Sequence, residues 1–224
     1  ENTPGIRNID DWILAHYDHP SYVHEFFEMQ TESALANLPL YREACGERIC
    51  AIVMSGTDFG TQQGPLISPD FYREFYKPYH TRLNDWVHRH TPWKVLFHSC
   101  GSVVDFFEDF IEAGVDIVNP VQYTARGMDL DVLQRRFGDR LVFWGGGIDT
   151  QRILPFGTPD EVRDETRRTS SILSRGSYVC AAVHNIQGPT PVENIQAFFQ
   201  AVHQREGEEE PDGKARAGGR EKPD

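Results

Sequence analysis

Short apolar runs alternate with stretches whose apolar residues recur at helical spacing through most of the chain. Ile49 to Asp58 reads as a strand. Ser68-Pro69-Asp70 then opens a helix carrying Phe71, Phe75, Leu83 and Trp86, with a kink expected at Pro78. The run Lys94 to Cys100 predicts the next strand, followed by a helix from Ser102 to Ala113 that Gly114 closes. Val115 to Gln122, Arg140 to Gly146 and Ser177 to His184 read as three further strands. Between them lie helices at Asp129 to Phe137 and from the capping box Thr158-Pro159-Asp160-Glu161 to about Ser174. A second box, Thr190-Pro191-Val192-Glu193, starts the last helix, which runs to about His203. Upstream, Asp10 or Asp11 is expected to cap a short helix, and Pro20 to start a longer one that Gly46 stops.

Five strands, each followed by a helix, imply a parallel sheet with right-handed crossovers. An open doubly wound sheet predicts a glycine-rich phosphate loop after its first strand, and Gly145-Gly146-Gly147 lacks the GxGxxG spacing. A (β/α)8 TIM barrel explains more, because its chemistry gathers at the C-terminal ends of several strands. Asp58, His98, Cys100, Asn119, Gln122, Asp149 and His184 all fall there in this reading. Eight strands close a barrel, so the expectation is its C-terminal part, about five of eight β/α units, over 1–203, with the missing units before Glu1. Residues 204–224 are Gly, Glu, Lys, Arg and Pro with almost no apolar side chains, which predicts a disordered tail.

Composition narrows the function without naming it. The chain has 224 residues, 39% hydrophobic and 25% charged, enough to build a core, and no run is long and apolar enough to cross a bilayer. The net charge of −12, with no clustered Lys and Arg, argues against nucleic acid and for small molecules or proteins as partners. The four cysteines are too few and scattered for a secreted disulfide framework, so the expectation is reduced thiols in a cytoplasm.

The chemistry-bearing stretch is Lys94-Val95-Leu96-Phe97-His98-Ser99-Cys100-Gly101. Side chains two apart on a strand leave the same face, so His98 and Cys100 project together; Cys180 and His184 share a face by the same rule. His98, Cys100 and Cys180 are therefore the candidate zinc ligands, a set that leaves a fourth position for water or substrate. The two cysteines are too far apart in sequence for a zinc finger, and on His-x-Cys alone small buried apolar cysteines are the favoured reading. Asp58 is read as a substrate or orienting carboxylate and His184 as a substrate-facing histidine, against helix capping and core packing respectively. Gln62, Asn119, Gln122 and Asp149 are the polar groups placed to hold a cofactor, or to stabilise loops.

From about Asp11 to Val202 the chain resembles the uroporphyrinogen decarboxylase superfamily. The blocks that carry the likeness are Asp58-Phe59-Gly60-Thr61-Gln62 with Gly64-Pro65-Leu66-Ile67-Ser68-Pro69, then Phe97-His98-Ser99-Cys100-Gly101 and Gly145-Gly146-Gly147-Ile148-Asp149-Thr150. His184-Asn185-Ile186-Gln187 with Thr190-Pro191-Val192-Glu193-Asn194 completes them. The resemblance implies a barrel. In its methyltransferase branch it implies zinc on His98, Cys100 and Cys180, with a methyl group moved to or from a corrinoid (cobalamin) on a partner protein, from a small methyl donor or to a thiol. The decarboxylase branch implies a metal-free carboxy-lyase of porphyrin biosynthesis. Its Asn-Leu-Gly-His-Gly pattern reads Ala181-Ala182-Val183-His184-Asn185 here, keeping only the histidine. A truncated barrel acting as a binding module is the third reading.

Overall fold

The computed structural model describes residues 8–203; the tail expected at 204–224 lies outside them. Two helical segments in contact lead in, α1 (Ile9–Asp18) and α2 (Pro20–Cys45). Asn8, not Asp10 or Asp11, caps α1 by accepting from the Asp11 N–H at 2.8 Å, and the two aspartates occupy the first turn. Gly46 ends α2 at φ +54°, a conformation that favours glycine.

Five β-strands follow in regular alternation with helices: β1 (Ala51–Ser55), α3 (Pro69–Phe75), α4 (Lys77–His90), β2 (Lys94–His98), α5 (Phe107–Glu112), β3 (Ile117–Asn119), α6 (Leu130–Phe137) and β4 (Val142–Trp144). The chain closes with α7 (Ile153–Phe156), α8 (Pro159–Leu173), β5 (Tyr178–Val179) and α9 (Val192–His203). The strands form one all-parallel sheet in the order β1-β2-β3-β4-β5. Every strand lies beside its sequence neighbour, which is the winding of a barrel wall; a doubly wound sheet would reverse direction partway. The strands are shorter than the apolar runs that announce them, because their C-terminal portions leave the ladder to build loops.

Several local signals act as the sequence says. Thr158 and Glu161 close a reciprocal capping box on α8, and Ser68 caps α3 through the Phe71 N–H. The helix expected to kink at Pro78 divides two residues earlier, at Tyr76, and Pro78 sits in the first turn of α4, where its missing N–H costs nothing. The helix expected from Ser102 begins later: Val104–Phe106 is a 3-10 turn leading into α5.

Alternation along the strands sorts their side chains onto two faces. Val95, Phe97, Val118, Phe143 and Tyr178 join the core shared with the helices, together with Phe106, Phe107, Phe110 and Phe137. Leu96, His98, Asn119, Trp144 and Val179 therefore point to the other face, the one a barrel encloses. Ile148, Leu154, Val162, Ala197 and Phe198 make a smaller core around α7, α8 and α9.

Candidate metal centre

β2 and β3 run in register with His98 opposite Asn119, and both side chains lie on the inner face. Asn119 Nδ2 donates to the Trp144 carbonyl at 3.0 Å, which leaves its Oδ1 to face His98 Nδ1 at 2.7 Å. An amide oxygen only accepts, so Nδ1 of His98 is the donor, and the neutral imidazole then keeps its lone pair on Nε2. That nitrogen lies 3.4 Å from Cys100 Sγ.

Cys100 is held in place through its backbone. Asp58 Oδ1 accepts from the Cys100 N–H at 2.7 Å, and Gln122 Oε1 accepts from the Gly101 N–H at 2.9 Å. Gln122 Nε2 donates to Gln62 Oε1 at 2.7 Å, and Gln62 Nε2 to the Thr124 carbonyl at 2.6 Å, so one directional chain of amides ties three loops together. Ser99 Oγ accepts from the Phe59 N–H and Thr61 O from the Ser102 N–H, bringing the loops after β1 and β2 into backbone contact. A Cβ on Gly101, which sits at φ +86°, would lie 2.6 Å from the Gly60 carbonyl carbon, and one on Gly60 2.7 Å from the Cys100 oxygen. Only glycine fits at either place.

The nitrogen of a third residue, His184, completes the group: ligand atoms of His98, Cys100 and His184 all lie within 4.8 Å of one another. Cys180 does not join them. Val179, not Cys180, pairs with Trp144 at the level of the inner-face residues, so Cys180 falls one residue further on and faces the helices. There it packs on the core of α7 to α9, with Sγ 3.7 Å from Ser170 Oγ. The alternation that would place Cys180 and His184 on one face ends with the bridge between Ile148 and Ala182, after which the chain bends at Val183 and His184. This bend turns His184 inward, and no residue between Ala181 and His184 announces it.

Burial first, then the charge and hydrogen bond of Asp58, push the Cys100 thiol up to about 12. A thiol so placed stays protonated at neutral pH unless a cation stands beside it. The donor set suits such a cation. Zinc takes imidazole nitrogen and thiolate sulfur at about 2.0 to 2.3 Å, which puts tetrahedral N and S neighbours about 3.5 Å apart, against the 3.4 Å observed for His98 and Cys100.

The other expected site residues divide by role. Asn119, Gln122, Gln62 and Asp58 position the His98–Cys100 loop as described, with their polar groups engaged by protein. Asp149 is buried, its Oδ1 accepting from the Gln151 N–H at 3.0 Å and Oδ2 from the Arg152 N–H at 3.1 Å, and it forms part of a cavity wall beside His184. Cys45 and Cys50 are free thiols away from this group.

A parallel barrel wall with a group of histidine and cysteine ligand atoms at its strand ends defines an α/β protein with a candidate metal centre at the mouth of the sheet. The chain belongs to the uroporphyrinogen decarboxylase (URO-D) family, whose model matches residues 4–205. Among curated relatives it is 25% identical to a methylated-thiol–coenzyme M methyltransferase of Methanosarcina mazei over 203 residues, covering 88% of this chain and 48% of that protein. It is 26% identical to a uroporphyrinogen decarboxylase of Crocosphaera subtropica (84% and 49% covered) and 28% identical to one of Anaeromyxobacter sp. (84% and 49% covered). The chain thus spans about half the length of the curated relatives it matches. A solved structure, a methyltransferase from Methanosarcina mazei, shares the fold with a TM-score of 0.66 at 18% identity, over 87% of this chain and 52% of that one. Among the described residues no helix is long and apolar enough to cross a membrane.

Proposed function

We propose that this chain forms the C-terminal part of a cytoplasmic zinc-dependent methyltransferase that moves a methyl group between a small donor or thiol and a corrinoid carried by a partner protein. The observation that carries the reading is the convergence of His98, Cys100 and His184 ligand atoms within 4.8 Å at the strand ends. The likeness to a methylated-thiol methyltransferase supports it, and the four free cysteines suit a reducing compartment.

When bound, zinc supplies the positive charge that keeps a thiol deprotonated and nucleophilic. The chain's own residues do the rest. Asn119 presents the His98 Nε2 lone pair to the site, Asp58 and Gln122 fix the Cys100 backbone, and exposed His184 supplies a nitrogen from the opposite loop. The remaining barrel units, which would carry further substrate contacts, belong to the same proposal.

Metal analysis tests it. The purified chain should hold close to one zinc, lost in Cys100→Ser, His98→Ala and His184→Ala but kept in Cys180→Ser. Zinc-free protein that releases CO2 from a tetrapyrrole would instead place it with the decarboxylases, and loss of zinc in Cys180→Ser would restore the ligand set expected from sequence.

A further inference from the structure

Among the first helices a cavity of about 380 Å³ opens between α1, the start of α2 and α3. His16, Tyr17, Phe71 and Phe75 give it aromatic walls, and Asp70 and Glu74 line it as well. None of these residues belongs to the candidate metal centre. His16 is only 2% exposed. Its Nδ1 lies 2.8 Å from the Trp12 carbonyl oxygen one turn back, and a carbonyl only accepts, so Nδ1 is the donor. Burial, the largest influence, lowers the His16 pKa and keeps the ring neutral at neutral pH, with its lone pair on Nε2. Among the described residues nothing donates to that nitrogen. A buried acceptor left without a donor costs free energy that a ligand N–H or O–H would recover. The ring packs against Phe71 at 4.8 Å and Phe75 at 4.9 Å, both of which line the cavity with it.

We propose that this cavity is a binding site for a primary ammonium group on a short apolar stem, which donates one N–H to His16 Nε2 and sets its charge beside Glu74. Asp70 is already paired with Arg73 at 2.7 Å, whereas Glu74 makes no ion pair among the described residues, so Glu74 is the carboxylate left for a cation. The rings of Tyr17 and Phe71, with centroids 5.6 Å apart, attract a cation through their faces and shelter the methylenes behind it. At about 30 Å³ for each water displaced, the space holds a group of about a dozen heavy atoms. Tyr17, 69% exposed, is the wall that yields as the ligand reaches Nε2. No residue of this site takes part in the methyltransferase reading, so the two stand or fall separately.

Butylammonium, trimethylbutylammonium and butanol, titrated into the purified chain by NMR at neutral pH and low ionic strength, separate the two contacts. Trimethylbutylammonium keeps the charge but has no N–H, and butanol keeps a donor but has no charge. Butylammonium should bind at least about tenfold more tightly than the first and at least about fivefold more tightly than the second. The ¹⁵N resonance of His16 Nε2 should move as it binds, since that nitrogen gains a hydrogen bond. His16→Phe keeps a ring without an acceptor and should erase the preference for butylammonium over trimethylbutylammonium. Glu74→Gln, a change at an exposed side chain, should weaken butylammonium about two- to fivefold and leave butanol unaltered. A lysine side chain carries the same group: Nα-acetyl-lysine methylamide binding as tightly as butylammonium would mark a partner protein as the source, and weaker binding a free amine. Equal affinities for the three probes, a His16 resonance that stays still, an unaltered affinity in Glu74→Gln, or no binding at all would overturn the site and leave Nε2 to water.

Discussion

The Trp144 carbonyl can only accept, so Asn119 must turn Nδ2 toward it and Oδ1 toward His98. That one orientation decides which nitrogen of His98 faces the site. Partners of this kind, one step behind a metal ligand, typically carry about 10 to 100-fold of metal affinity. Asn119→Leu should therefore weaken zinc binding by about that factor, read by competition with a chromophoric chelator. Asn119→Asp keeps an acceptor for His98 Nδ1 and should retain more of the affinity. If Asn119 served only to hold β3 against β4, the two variants would bind zinc alike, and the ¹⁵N shifts of the His98 ring would not distinguish them.

Helices α3, α4 and α5 are joined by charge as well as by aromatic packing. Asp109 on α5 accepts from Arg73 at 2.9 Å and from Lys77 at 2.8 Å, and Lys77 also reaches Glu112. Burial alone would raise the Asp109 pKa, but the hydrogen bonds and charges of Arg73 and Lys77 outweigh it and hold the carboxyl below its ordinary 3.8. Because the folded value is the lower one, this stabilisation is present at neutral pH and is lost as pH falls below about 3.8 and through the depressed folded value. Asp109→Asn should lower stability at neutral pH and flatten the acid limb of the stability curve by up to one bound proton, measured by urea unfolding across pH 2 to 6. An unchanged acid limb would mean the cations find other partners. At this scale much was legible in the sequence. Gly46, the Thr158 box and the phenylalanines of α5 carry their meaning locally. The position of Cys180 does not, because which face it takes depends on pairing between β4 and β5, and a shift of one residue reverses it.

On the scale of the whole molecule, β1 and β5 are the two ends of the sheet, and among the described residues neither has a second neighbour. Each turns an apolar side chain away from the helices: Val53 is 63% exposed and Val179 37%. Unpaired edges flanked by exposed apolar residues are templates for pairing with another chain. The isolated 224-residue chain should therefore self-associate with rising concentration in sedimentation experiments, and Val53→Lys should shift it toward monomer. A monomer at all concentrations would mean that these edges do not template pairing. The barrel-type winding was readable from the strand and helix alternation, since order in the sheet follows order in the chain. The bend that delivers His184 was not, because it arises where the β4–β5 ladder gives way to a loop. One consequence concerns relatives of this chain. Because Gly60 and Gly101 touch backbone to backbone, the segments around them form a single interlocking unit, so a chimera that imports one of the two from a distant homologue must import its mate or lose the seat of Cys100.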